Sequence, residues 1–183
     1  MRPIEVRDIK IKSGSPAYKA AYMGVLSACA IALGYLEGLL PPMPFMPPGA
    51  KLGLSNIAVM LASKRFGFLY AVAIAAAKAG FAGLTRGTTA FFMSLAGGVL
   101  SAAAVSALFK LKNNPFGFIG LGIISAIAHN AGQLGVASVL LGRGAVLAYA
   151  PYLFVFSIVT GAVTGTALKI ILPATLRLEE NKT

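Results

Sequence analysis

Residues 17–40 read AYKAAYMGVLSACAIALGYLEGLL, and residues 41–48 behind them read PPMPFMPP. At about 1.5 Å of rise per residue, the first stretch makes a helix of about 36 Å, enough to cross the roughly 30 Å hydrocarbon layer of a bilayer. Its charges, Lys19 and Glu37, fall near its two ends. The prolines at 41, 42, 44, 47 and 48 lack the amide hydrogen that a helix interior needs, and they end it. Arg2, Arg7, Lys10 and Lys12 precede the run, as basic residues precede a secretory signal. A signal core is only about 7–15 residues long and finishes at a small-residue cleavage site, so this run reads as a retained membrane helix.

Outward from this stretch the pattern repeats. Of the 183 residues 57% are hydrophobic and 11% charged, and the mean hydropathy is +0.81. Soluble domains are typically about 45–50% apolar and about 25% charged, so water is not this chain's solvent. Breaks at Lys64-Arg65, Arg86-Gly87, Lys110 to Pro115 and Gly142-Arg143-Gly144 divide the remainder. The resulting helices are predicted at about Leu52–Ser63, Phe66–Thr85, Thr88–Phe109, Phe116–Leu141 and Ala145–Leu172. The fold class is therefore an all-α integral membrane protein of about six transmembrane helices. Residues 1–16 form an N-terminal segment, 17–172 a six-helix membrane domain and 173–183 a tail. The second helix, about 18 Å long, is shorter than the hydrocarbon layer, and short spans often line a cavity.

Six spans put both termini on one side, and the 16 Lys and Arg residues test that arrangement. Arg2, Arg7, Lys10, Lys12, Lys19, Lys64, Arg65, Lys110, Lys112, Lys169, Arg177 and Lys182 fall on the terminal side. Lys51, Arg86 and Arg143 fall on the other, and Lys78 lies inside a span. Basic residues concentrate on the cytoplasmic side, so both termini are predicted in the cytoplasm of a bacterial inner membrane. A five-span reading destroys this alternation. The net charge of +11 is scattered singly between apolar stretches, unlike the dense basic stripe of a nucleic-acid-binding protein. The partner this composition implies is the lipid bilayer.

Ionisable groups inside a membrane are costly and by default mark function. Here they are Glu37, Lys78 and His129, joined by the amides Asn56, Asn130 and Gln133. The topology places all six at mid-membrane or in the outer half. His129 and Gln133, four residues apart, share one helix face, and Gly132 and Gly135 clear space beside them. The readings are a ligand site, a polar clamp between helices such as Glu37 paired with Lys78, or a site doing both jobs. Gly24, Ala28 and Ala32, extended by Ala20, form a stripe of small residues on helix one, and Gly161 with Gly165 forms a GxxxG pair on helix six. Such faces let helices approach closely. The helix six pair is expected to pack internally, whereas the helix one stripe fits internal packing and docking of a second membrane protein equally. Tyr149 and Tyr152 read as interfacial anchors, with lining a pocket as the alternative. A single Cys29 forms no internal disulfide and completes no zinc or iron–sulfur site, so no metal is expected.

Three motifs carry a resemblance. Pro47-Pro48-Gly49-Ala50-Lys51-Leu52-Gly53-Leu54-Ser55-Asn56, Ser94-Leu95-Ala96-Gly97-Gly98 and Ala128-His129-Asn130-Ala131-Gly132-Gln133-Leu134 resemble the bacterial Gx transporter family. Its members are commonly labelled heptaprenyl diphosphate synthase component I and are similar to the S components of energy-coupling factor (ECF) transporters. The likeness spans about Ala17 to Leu172. It implies an S-component-like six-helix bundle with a substrate pocket on the outer side, capped by the loop between helices one and two. It also implies that Ala28 and Ala32 match the helix one face that meets the transmembrane coupling subunit. The vitamin-contacting residues of well-known S components have no matching motif here.

The expectation is a non-enzymatic transport subunit. Glu37, Lys51, Asn56, Lys78, His129, Asn130 and Gln133 would bind a small molecule, with Lys78 as its positive charge, and Gly24, Ala28 and Ala32 would meet partner subunits. Prenyl diphosphate synthases hold magnesium through DDxxD motifs, and the one aspartate, Asp8, excludes that role. No GxxxxGK motif occurs, so ATP would be hydrolysed by another chain. A second reading is a scaffold for isoprenoid, quinone or flavin-based extracellular electron-transfer enzymes. A third is a proton-coupled carrier using Glu37 and His129. No covalent cofactor is expected, and a flavin or quinone remains compatible as ligand.

Overall fold

The computed structural model describes residues 15–39, 53–111, 116–141 and 143–180. They form α1 (Pro16–Leu39), α2 (Ser55–Phe66), α3 (Phe68–Arg86), α4 (Thr88–Lys110), α5 (Gly117–Leu141) and α6 (Arg143–Glu180). Five of the six, α2 excepted, are long and apolar enough to cross a membrane. The chain is thus an all-helical, multi-pass membrane protein. The proline-rich loop, Lys51 and the segments before Ser15 and after Glu180 lie outside the described residues.

Local chemistry sets the helix ends. Ser15 Oγ accepts the Tyr18 N–H at 3.2 Å, and Pro16 takes the first helical position, where its missing hydrogen costs nothing. The break after the second helix falls at Gly67, not at Lys64-Arg65. Gly67 has φ +93°, and its N–H returns to the carbonyls of Ala62 and Ser63. Lys64 and Arg65 instead complete the last turn of α2, where positive charge is favoured by the helix dipole. The single residue Gly87, φ +90°, turns α3 into α4.

The sixth helix departs from its expected bounds. It begins at Arg143 and passes through Pro151 and Pro173 to Glu180, so the residues assigned to a tail continue the helix. Proline keeps a helical φ and removes one hydrogen bond, a loss that the surrounding structure can absorb. The residues beyond Pro173, including Leu176, Leu178 and Glu179, are good helix formers.

α2 is the centre of the bundle. Every residue from Ser55 to Ser63 is buried, and α2 touches α1, α3, α4 and α6. Small residues bring the long helices together around it. A Cβ on Gly98 of α4 would stand 2.7 Å from Ala75 Cβ of α3. Gly161 and Gly165 close the α5–α6 seam, since a Cβ on Gly165 would stand 2.5 Å from the Phe118 carbonyl oxygen. The GxxxG pair is therefore an internal contact. The α1 stripe is different: Ala20, Gly24, Ala28 and Ala32 are all exposed, and a Cβ on Gly24 would meet none of the described residues within 4 Å.

Candidate functional site

At one end of the bundle the helices enclose a cavity of about 380 Å³. That is within the roughly 300–1,000 Å³ range of small-molecule sites. Glu37, Asn56, Lys78, His129, Asn130 and Gln133 all line it, although they come from α1, α2, α3 and α5. The opposite end carries Lys64, Arg65 and Lys110 at the ends of α2 and α4, beside the start of α1. There Arg65 donates to the Tyr18 hydroxyl at 2.8 Å and lies over the Tyr22 ring at 4.5 Å.

Each polar residue has a defined position. Lys78 is buried and donates to Asn56 Oδ1 at 2.7 Å and to Ser55 Oγ at 3.3 Å. The two acceptors open α2, so an α3 cation fixes the start of the central helix. Glu37 is also buried, and its Oε1 accepts the Leu54 N–H at 2.6 Å. Leu54 precedes α2 and offers no side-chain cap of its own, so the carboxylate of α1 holds the approach to α2.

On α5, His129 Nε2 and Gln133 Nε2 lie 3.1 Å apart, as their four-residue spacing predicts. Asn130 donates to Ser157 Oγ of α6 at 2.6 Å, and Ser157 donates in turn to the Leu153 carbonyl at 2.7 Å. Two of the sequence motifs meet here. Gly97 leaves room for His129, whose carbonyl oxygen and Nδ1 would lie 2.7 and 2.9 Å from a Cβ at that position. Gly132 faces Ala96 and Gly97 just as closely, with the Ala96 carbonyl oxygen 2.6 Å from where its Cβ would be. The Ser94-Leu95-Ala96-Gly97-Gly98 segment is thus the slot into which the His129 to Gly132 turn fits.

The cavity also uses residues that the sequence alone did not single out. Tyr35, Phe81, Thr85, Arg86, Met93 and Thr160 line it. By sequence Arg86 reads only as an outer loop charge. Its position eight residues after Lys78, with Thr85 seven after, places all three near one face of α3, and that spacing is the signal that points to it. Tyr152 is exposed and does not line the cavity, and the Tyr149 side chain lies outside the described residues. Cys29 is exposed on α1, beside Ala28.

The sequence profile of the family described as heptaprenyl diphosphate synthase component I matches residues 26–171. No curated protein matches the sequence. Among solved structures, one described as the S component of a bacterial ECF transporter superposes with a TM-score of 0.70 at 20% identity. The alignment covers 90% of this chain and 98% of that one. The fold is therefore that of an S component.

Proposed function

The chain belongs to the heptaprenyl diphosphate synthase component I family, and from that premise and its fold we propose that it is the substrate-binding subunit of a membrane importer. It takes a small molecule from the outer side and delivers it inward with an energy-coupling module of a transmembrane subunit and ATPases. The observation that carries this reading is the cavity itself, in which six polar residues from four helices converge at the end of the bundle away from Lys64, Arg65 and Lys110. Since basic residues favour the cytoplasm, that end faces outward. The exposed Gly24, Ala28 and Ala32 stripe on α1 supplies a face for the coupling subunit.

A synthase role would need carboxylates for magnesium, and the chain has one aspartate, Asp8. The family's label therefore fits an accessory role, not catalysis. The exposed α1 stripe also favours the second reading, a scaffold that recruits prenyl-transfer or redox proteins. Native mass spectrometry of the gently purified protein tests both. A retained small molecule, with an ATPase pair and coupling subunit, supports import. An empty cavity with a bound flavoprotein or prenyltransferase supports the scaffold. Uptake into liposomes by the chain alone, driven by a proton gradient, supports a stand-alone carrier.

A further inference from the structure

The charged groups of the cavity are separated along α3. This helix contributes Lys78, Phe81, Thr85 and Arg86 to the wall, and eight residues place the two cations about 12 Å apart along its axis. Deep in the bundle the polar groups hold one another. Lys78 is engaged by Asn56 and Ser55, Glu37 by the Leu54 N–H, Asn130 by Ser157, and Gln133 by His129. Arg86 is exposed at the end of α3, and among the described residues no hydrogen bond or ion pair engages it.

The described lining holds two basic side chains, Lys78 and Arg86, against one carboxyl side chain, Glu37. Between the cations α3 contributes Phe81, Ala82 and Thr85 to the lining. Phe81 meets Tyr35 edge-on with ring centroids 6.1 Å apart, and Met93 of α4 also lines this region.

We propose that Arg86 binds the acid group of the substrate, and that the substrate is an amphiphilic monoanion whose apolar body lies beside Tyr35, Phe81 and Met93. The guanidinium offers a planar fork of donors that matches a carboxylate or similar acid in two parallel hydrogen bonds. The body lies against these side chains and the acid head stays beside the exposed Arg86, so little charge is buried and the cost of desolvation is small. This rests on the substrate-binding reading and adds the ligand's charge and orientation to it.

Three probes of similar size, 3-phenylpropionate, 3-phenylpropionamide and 3-phenylpropylamine, differ in head charge. Thermal unfolding of the detergent-solubilised chain reads their binding. The acid is expected to raise the unfolding midpoint, and the amide and amine to leave it in place. Arg86→Gln is expected to weaken the acid about tenfold or more, as loss of a charged hydrogen bond implies, with Arg86→Lys recovering part of it. Lys169→Gln, on the exposed face of α6, serves as the control and leaves binding unchanged. Equal binding of amide and acid, or an unaltered preference in Arg86→Gln, overturns the role of Arg86 while the substrate-binding reading stands. If no probe binds, native mass spectrometry decides. A retained acid that is lost from Arg86→Gln supports the proposal, and a retained molecule without an acid group, or one kept by that variant, overturns it. A chain that binds no probe and retains nothing overturns both readings.

Discussion

The Lys78 ammonium on α3 lies 2.7 Å from Asn56 Oδ1 on α2, so a membrane-embedded cation ties the shortest helix to its neighbour. The same nitrogen reaches Ser55 Oγ. These two residues begin α2 and also line the cavity, which makes the architecture of the site and the position of α2 one interaction. Replacing Lys78 by Met leaves two buried acceptors without this donor. Hydrogen bonds between membrane helices are worth about 0.6 kcal/mol on average and up to about 1.7. The Lys78→Met and Asn56→Ala pair is expected to show a coupling energy toward the upper part of that range in a double-mutant cycle of thermal unfolding. Retention of the bound small molecule should fall in both single variants. Additive effects would mean that the contact does not organise the site.

Glu37 invites a comparison of Gln with Ala. Glu37 Oε1 accepts the Leu54 N–H, a task that a glutamine carbonyl can also perform. Glu37→Gln should therefore keep most of the unfolding midpoint, while Glu37→Ala leaves a part-buried N–H unsatisfied and should cost about 1–3 kcal/mol. Transport assayed in liposomes adds a second readout. If Glu37 acts as a cap, Glu37→Gln retains uptake; if it carries protons, Glu37→Gln abolishes the dependence of uptake on a proton gradient.

Glycines give a test of which faces are internal. A Cβ on Gly97 would lie 2.7 Å from the His129 carbonyl oxygen and 2.9 Å from its imidazole, so Gly97→Ala forces α4 and α5 apart. Overpacking of this kind costs about 1–3 kcal/mol. The displaced His129 should weaken ligand retention as well. Gly24→Ala meets open space and should raise stability slightly, since alanine favours a helix over glycine by about 1 kcal/mol. Unfolding midpoints of the two variants that shift in the same direction would contradict the packing described here.

The bundle was legible in the sequence because membrane helices announce themselves through length, and because proline, glycine and charge mark their ends. Topology predicts that Glu37, Asn56, Lys78, His129, Asn130 and Gln133 share one layer, and the structure places all six around one cavity. Their partners were not readable. Ser55 and Ser157 are small hydroxyls in apolar runs, and nothing in their immediate sequence distinguishes a partner of Lys78 or Asn130 from a packing residue. Arg86 was hidden because a charge at a helix end looks like a topological marker, whichever way its helix faces. The continuation of α6 beyond Pro173 was missed because proline is a helix breaker in water, whereas here a single lost hydrogen bond is tolerated within a helix of 38 residues.

The α1 stripe yields the sharpest separation between folding and assembly. Ala20, Gly24, Ala28 and Ala32 are exposed and lie on one face, and Cys29 beside them is exposed too. Gly24→Leu adds bulk where no described residue lies within 4 Å of a Cβ, and Ala28→Leu adds it at an exposed position. Ala28→Leu should keep stability within about 0.5 kcal/mol, as surface substitutions usually do, and Gly24→Leu should not fall below the parent chain, since leucine favours a helix over glycine. Close approach of another helix needs these residues to be small, so co-purification of coupling or scaffold subunits should be lost. Intact co-purification of Ala28→Leu would place the partner on another face of the bundle.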